Sequence, residues 1–314
     1  MKQRFKGLIC GLLVLLSLPA AGEDKMINYI PEQADGAVIF RSETLAQNGA
    51  LKAISEAGDV KRYKKDLDWI RSNPKAAYPD MLIVIWEDSY GVMVSGLPKR
   101  DELLKDLTKF YTRNDPNQQY TVKSGSHTGY DYISIIRNRK GKIKQYDLIY
   151  FAPDTAMLMG GKNHLPWKKL TTKFNPEATK KLGQATTSDL IYGYIWNPKK
   201  LMDPLGMTRL MKDIVFQIRS SADLDDISIT AQAQCTSERN ANSILNQMQG
   251  MGKLLLIGMF GNNQKLMTML DQSIKFSLDR QAVELKAFLS KENMTELRKE
   301  YENDPEMLKT QGVK

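Results

Sequence analysis

Ile227-Ser228-Ile229-Thr230-Ala231-Gln232-Ala233-Gln234-Cys235 alternates apolar and polar residues without a break. Successive strand residues face opposite ways, so Ile227, Ile229, Ala231, Ala233 and Cys235 share the apolar face of one strand. Downstream, Ser273–Asp279 and Ala282–Leu289 read as a hairpin with Ile274, Phe276, Leu278, Val283, Leu285 and Leu289 inward. Upstream, the continuously apolar Met81–Trp86 reads as a strand covered on both faces, turned by Ser89-Tyr90-Gly91 into Val92–Leu97. Gly129–Arg137, Lys142–Phe151 and Thr155–Gly160 form a meander through Lys140-Gly141 and Ala152-Pro153-Asp154. Ala37–Arg41 and Leu190–Trp196 are further strands. Strands joined this directly pair antiparallel, because parallel neighbours need a long crossover.

Helical spacing fills the gaps. Ser42 caps a helix to Ile54, and a charged helical stretch continues to Arg71. Pro98 opens a helix with Leu103, Leu104, Leu107, Phe110 and Tyr111 on one stripe. Met207, Leu210, Met211, Ile214, Val215 and Ile218 predict another amphipathic helix. Ser237–Leu270 predicts a long helical region broken near Gly258–Asn263, and Ser290 caps a last helix. The expected fold is α+β, with mainly antiparallel sheets, amphipathic helices packed on one face, and a hint of two similar halves. Residues 162–187 are polar and basic and carry Pro166 and Pro176, so they mark the boundary. The expected order is a first half over 23–185, a second over 186–303 and a polar tail over 304–314.

With 314 residues, 42% hydrophobic and 26% charged, the chain can bury a real core, and disordered, collagenous and disulfide-framework classes are excluded. Its front end points to export. Lys2, Arg4 and Lys6 precede an apolar run from Gly7 to Leu18, then Pro19 and the small residues Ala20, Ala21 and Gly22. That pattern predicts a signal peptide over 1–22, because a run of about twelve residues is too short to span a bilayer as a helix. Cleavage after Gly22 removes Cys10 and leaves Cys235 alone, so no internal disulfide forms and the buried thiol serves as a small hydrophobe.

Catalytic patterns are scarce. His127 and His164 have no metal-ligand spacing, and no cysteine cluster joins them. His127 reads as part of a polar turn, Ser124-Gly125-Ser126-His127. No Gly-x-Ser-x-Gly marks a nucleophile. Glu87-Asp88 and Asp225-Asp226 are adjacent acids at strand ends, which suit solvation and capping better than work across a cleft. Gly250-Met251-Gly252-Lys253 fails as a phosphate loop, since Gln247 and Leu254 stand where glycine and Ser or Thr are required. No cofactor is expected.

Charge is unevenly placed on a chain of net +9. Residues 121–182 hold twelve Lys and Arg against four acids. Arg137, Arg139, Lys140, Lys142 and Lys144 crowd one hairpin tip and are the candidate anion-binding residues. The partners they suit are an anionic glycan, a lipid surface or an envelope protein, with nucleic acid disfavoured. The bland alternative is that they blunt an exposed strand edge. The polar strand faces of the second half, with Ser228, Thr230, Gln232, Lys275, Ser277 and Lys286, are the next place for a contact.

At Ile30-Pro31-Glu32-Gln33-Ala34-Asp35-Gly36-Ala37-Val38-Ile39-Phe40 the chain resembles exported bacterial proteins of unknown function that place a Pro-x-x-Ala turn before their first strand. The closing pattern, Ser273-Ile274-Lys275-Phe276-Ser277 with Val283-Glu284-Leu285, is similar in style. The resemblance implies an exported α+β protein and carries no site residues. The expectation is a non-catalytic exported protein, periplasmic or extracellular, acting by binding or structural contact at the cell envelope. The alternative is a hydrolase of a cell-wall or environmental polymer that uses unidentified carboxylates.

Overall fold

The computed structural model describes residues 23–41, 48, 80–87, 89–112, 119–139, 141–160, 170, 172–200, 206–260 and 264–303. The expected signal peptide, the helices from Ser42 to Arg71, Lys140, His164 and the tail lie outside them. Two compact units form, the first drawn from Met1–Phe40 and Pro74–Gln184, the second from Arg41–Asn73 and Ala185–Lys314. Their strands pair antiparallel throughout, so the architecture is mainly antiparallel sheet with fewer helices.

The first unit contains β1 (Gly36–Phe40), β2 (Met81–Trp86), β3 (Ser89–Ser95), β4 (Gln119–His127), β5 (Tyr130–Arg139), β6 (Lys142–Ala152) and β7 (Thr155–Gly160), ordered β1-β2-β3-β7-β6-β5-β4. Between β3 and β4 runs α1 (Arg100–Thr112), and α2 (Pro176–Leu182) follows β7. Its core is a row of register partners on one face. Ile133 lies opposite Leu148, Leu148 opposite Leu158, Leu158 opposite Val92, and Val92 opposite Ile83. Leu103 and Leu107 of α1 pack onto this row, as their helical stripe predicts. Asn175 caps α2 by accepting from the amides of Glu177 and Ala178.

Two local expectations change here. Trp86 already pairs with Ser89 and Ile85 with Tyr90, so Ser89 and Tyr90 belong to β3 rather than to the turn. The polar segment that reads as a turn is strand β4, with His127 as its exposed last residue opposite Tyr130. Thr128 and Gly129 make that turn with φ of 52° and 84°, the twist that matches a two-residue hairpin.

The second unit contains β8 (Asp189–Ile195), β9 (Met211–Ser220), β10 (Ile227–Cys235), β11 (Ile274–Asp279) and β12 (Ala282–Leu289), ordered β11-β12-β10-β9-β8. The helix expected around Met207–Ile218 is instead β9, entered through a short 3-10 turn at Thr208–Leu210. Pairing on both sides, with β8 and β10, overrides the helical spacing. The helices are α3 (Glu238–Phe260), α4 (Gln264–Ser273) and α5 (Lys291–Asn303). Ala241 and Ile244 of α3 join Met211, Ala233, Cys235 and Val283 in one cluster. Met294 of α5 joins Leu190 and Ile227 in another. Ser290 Oγ accepts from the Asn293 amide, as a helix cap should. Asp226 Oδ1 accepts from the Lys291 amide, and Asp225 pairs with the Lys291 ammonium, so this acidic pair does capping work. Cys235 is fully buried and free, and burial pushes its thiol up from the usual value.

Tyr150 supplies a pH-dependent prediction. Its buried hydroxyl has no hydrogen-bond partner among the described residues, and burial pushes the phenol well above its ordinary value while Arg100 pulls the other way. The unfolded chain gives up that proton near pH of about 10, whereas the folded protein keeps it longer. Stability present below that pH is therefore lost as the pH rises past it. Tyr150→Phe is expected to shallow the fall in urea midpoint between about pH 9 and about pH 11, and to cost under about 1 kcal/mol at neutral pH. An alkaline decline as steep as the wild type's would contradict this account.

Candidate functional site

The five bases chosen from sequence lie on the β5–β6 hairpin. Its register pairs Ile133 with Leu148, Ile135 with Tyr146, Arg137 with Lys144, and Arg139 with Lys142. Cross-strand partners share a face, as do residues two apart, so two core rungs are followed by two rungs of basic positions. Rungs on one face are spaced by roughly 7 Å and partners by roughly 5 Å, which crowds like charges directly opposite each other. Such pairs are destabilising unless an anion sits among them.

Arg137 is half-buried, while Lys142 and Lys144 are exposed. None of these three has an ion-pair or hydrogen-bond partner among the described residues. Pairing to β7 ends at Tyr146 opposite Gly160, so β6 residues 142–145 extend beyond that neighbour. Ile143 occupies the opposite face of the tip and is 69% exposed. Lys140 lies outside the described residues, so the structure brings together four of the five positions.

Deeper in the hairpin and on its other face, Asp147 is fully buried opposite Ser134 and accepts from Ser134 Oγ and, at 2.8 Å, from Gln145 Nε2.

A concave site that the sequence reading did not assemble lies in the second unit. A cavity of about 940 Å³ opens where α4 enters β11, lined by residues of β10, β11, β12, α4 and α5. Lys275 and Lys286 are register partners there, again a like-charge pair across two strands. Lys286 Nζ meets Glu284 Oε2 at 2.8 Å, and this contact holds the Glu284 carboxyl below its ordinary range. Ser228, Thr230 and Phe288 also line it. Four of these residues, Ser228, Thr230, Lys275 and Lys286, belong to the polar strand faces noted in the sequence. The register sets these four side chains and Phe288 on one face of the strands and Ile229 and Ala287, which also border the cavity, on the other.

Tyr192 and Tyr194 of β8 offer no stacking surface, since both are buried. Tyr194 instead packs with Trp196, ring centroids 5.5 Å apart. Tyr130 is likewise buried, against Phe151 at 4.9 Å. No protein-family model, curated protein or solved structure matches this chain.

Proposed function

We propose that this is an exported, non-catalytic binding protein of the cell envelope, and that the β5–β6 hairpin tip is its contact with an anionic surface. The observation that carries the reading is the register: Arg137 opposite Lys144 and Arg139 opposite Lys142, at the end of a hairpin whose inner rungs are core. The fold bears the cost of opposed like charges, and a polyanion converts that cost into attraction by neutralising several at once. Solvent-exposed charges attract over about 10 Å at moderate salt, so the interaction weakens as salt rises. The basic front end with its short apolar run supports export, with residues 1–22 removed. We extend the proposal to the architecture: helices gathered on one face of a sheet leave polar strand faces open to partners.

One experiment tests both parts. Protein recovered outside the cytoplasm is expected to begin at Glu23 and to bind heparin, used as a polyanion probe. Changing Arg137, Arg139, Lys140, Lys142 and Lys144 to glutamine is expected to move elution to clearly lower salt without lowering the melting temperature, since the opposed like charges are themselves destabilising. Unchanged elution overturns the hairpin contact, and an intact front end in the cytosol overturns export.

A further inference from the structure

We propose that the partner of the β5–β6 hairpin tip is an anionic lipid bilayer, whose headgroup layer the tip enters with Ile143 deepest. This deepens the hairpin contact proposed above and rests on it. Two features of the tip select a bilayer over a polyanion in solution.

The first is that the tip is amphipathic. Lys142 and Lys144 occupy the same face as the positions of Arg137 and Arg139, whereas Ile143 lies on the other face, opposite Asn138. One rung in, Ile136 and Gln145 continue that second face, and Thr121 of β4 extends it across the neighbouring strand. None of these positions carries a charge. The next residue along that face of β6, Asp147, is fully buried and hydrogen-bonded to Ser134 and Gln145. The end of the hairpin thus has a basic face and an uncharged face with isoleucine at its outer rung. An element of this build settles along a bilayer surface, its apolar side toward the acyl chains and its bases toward the phosphates. Lysine suits the second role, since its long stem carries the ammonium back to the headgroup level.

The second is that Ile143 stands in water. It is 69% exposed, more than any other large hydrophobic side chain among the described residues. Lys142 and Lys144 on either side of it are exposed as well. Pairing with β7 ends at Tyr146 opposite Gly160, so residues 142–145 run past that neighbour. A single exposed isoleucine is ordinary on a protein surface. This one lies at the end of a hairpin whose other face is basic, so one approach brings both to a bilayer. A soluble polyanion engages the bases and leaves Ile143 in water. A bilayer takes both, each base near an anionic surface contributing roughly fivefold in affinity and a buried isoleucine about tenfold.

The test is flotation of the exported protein with vesicles of equal parts phosphatidylglycerol and phosphatidylcholine, against vesicles of phosphatidylcholine alone. Binding to the mixed vesicles is expected to be saturable and at least about tenfold tighter than to the neutral ones. Ile143→Ser is expected to weaken vesicle binding at least about fivefold. Its heparin elution and melting curve are expected to match wild type, because the side chain is exposed and uncharged. Ile143→Trp is expected to bind at least as tightly as wild type, with emission that brominated acyl chains quench more than they quench the wild type's. The five-glutamine hairpin variant is expected to weaken on vesicles and on heparin together. Heparin retention without vesicle binding, or vesicle binding unchanged in Ile143→Ser, overturns the bilayer as partner and leaves the hairpin contact standing. A five-glutamine variant that binds both as wild type does overturns the hairpin contact, and the bilayer proposal with it.

Discussion

Leu148→Ala is expected to destabilise the first unit by about 3 kcal/mol, within the range of about 2–5 kcal/mol for emptying a packed site. Leu148 is 1% exposed and has apolar register partners on both sides, Ile133 on β5 and Leu158 on β7. Above that row lie Leu103 and Leu107, held by the helix backbone of α1. Strand neighbours cannot close in, because the ladder hydrogen bonds fix their spacing at just under about 5 Å. The cavity therefore stays largely open, and its cost adds to the lost transfer energy. Urea unfolding followed by circular dichroism measures the effect. A loss below about 1 kcal/mol would mean that α1 can settle into the gap, and that the row is not the rigid base from which the basic tip extends.

The same hairpin shows what the sequence conveys and what it withholds. A cluster of five bases around Lys140-Gly141 is visible in one dimension, because turn residues mark the tip. Register is not, since moving the pairing by one residue would place Arg137 and Lys144 on opposite faces. β10 was legible because one face packs against helices and the other does not, which writes a clean period of two into its residues. β9 lacks that contrast. Ile214, Phe216 and Ile218 face one way, but Val215 faces the other, and all four are half-buried. Its apolar residues then also fit a helical stripe, and only pairing with β8 and β10 decides between the two. β4 hid for the opposite reason. It is an edge strand with mostly exposed side chains and Gly125 in its middle, so burial leaves little trace in its composition.

Glycine inside a strand carries a different message. Gly193 lies opposite Phe216, and a Cβ at that position would run into the aromatic ring. Gly160 stands in the same relation to Tyr146, at the last rung before the basic tip. In both places the ring lies over the glycine and covers backbone that would otherwise be wet. This pairing across strands explains why Gly193 is tolerated in the middle of β8, despite the entropy glycine loses on folding.

Arg219→Met is expected to cost the second unit about 3 kcal/mol, the lower end for breaking a buried ion pair. Asp189 and Arg219 are register partners, and their ion pair is asymmetric. The Asp189 side chain is 0% exposed and the Arg219 side chain 40%, with Nε donating to Oδ1 at 2.7 Å. Thr186 gives the other carboxylate oxygen two hydrogen bonds, from its amide at 2.6 Å and its hydroxyl at 3.0 Å. Removing the arginine leaves a carboxylate that water does not reach and that only Thr186 satisfies. The effect comes from stranding that charge more than from losing attraction between the pair. Removing both charges should therefore be milder than removing one. Arg219→Met with Asp189→Leu is expected to recover a third or more of the loss, the Thr186 amide remaining unpaired. Urea midpoints for wild type, both single variants and the double variant complete the cycle. Strictly additive losses would show that the two residues do not stabilise this corner of β8 and β9 as a pair.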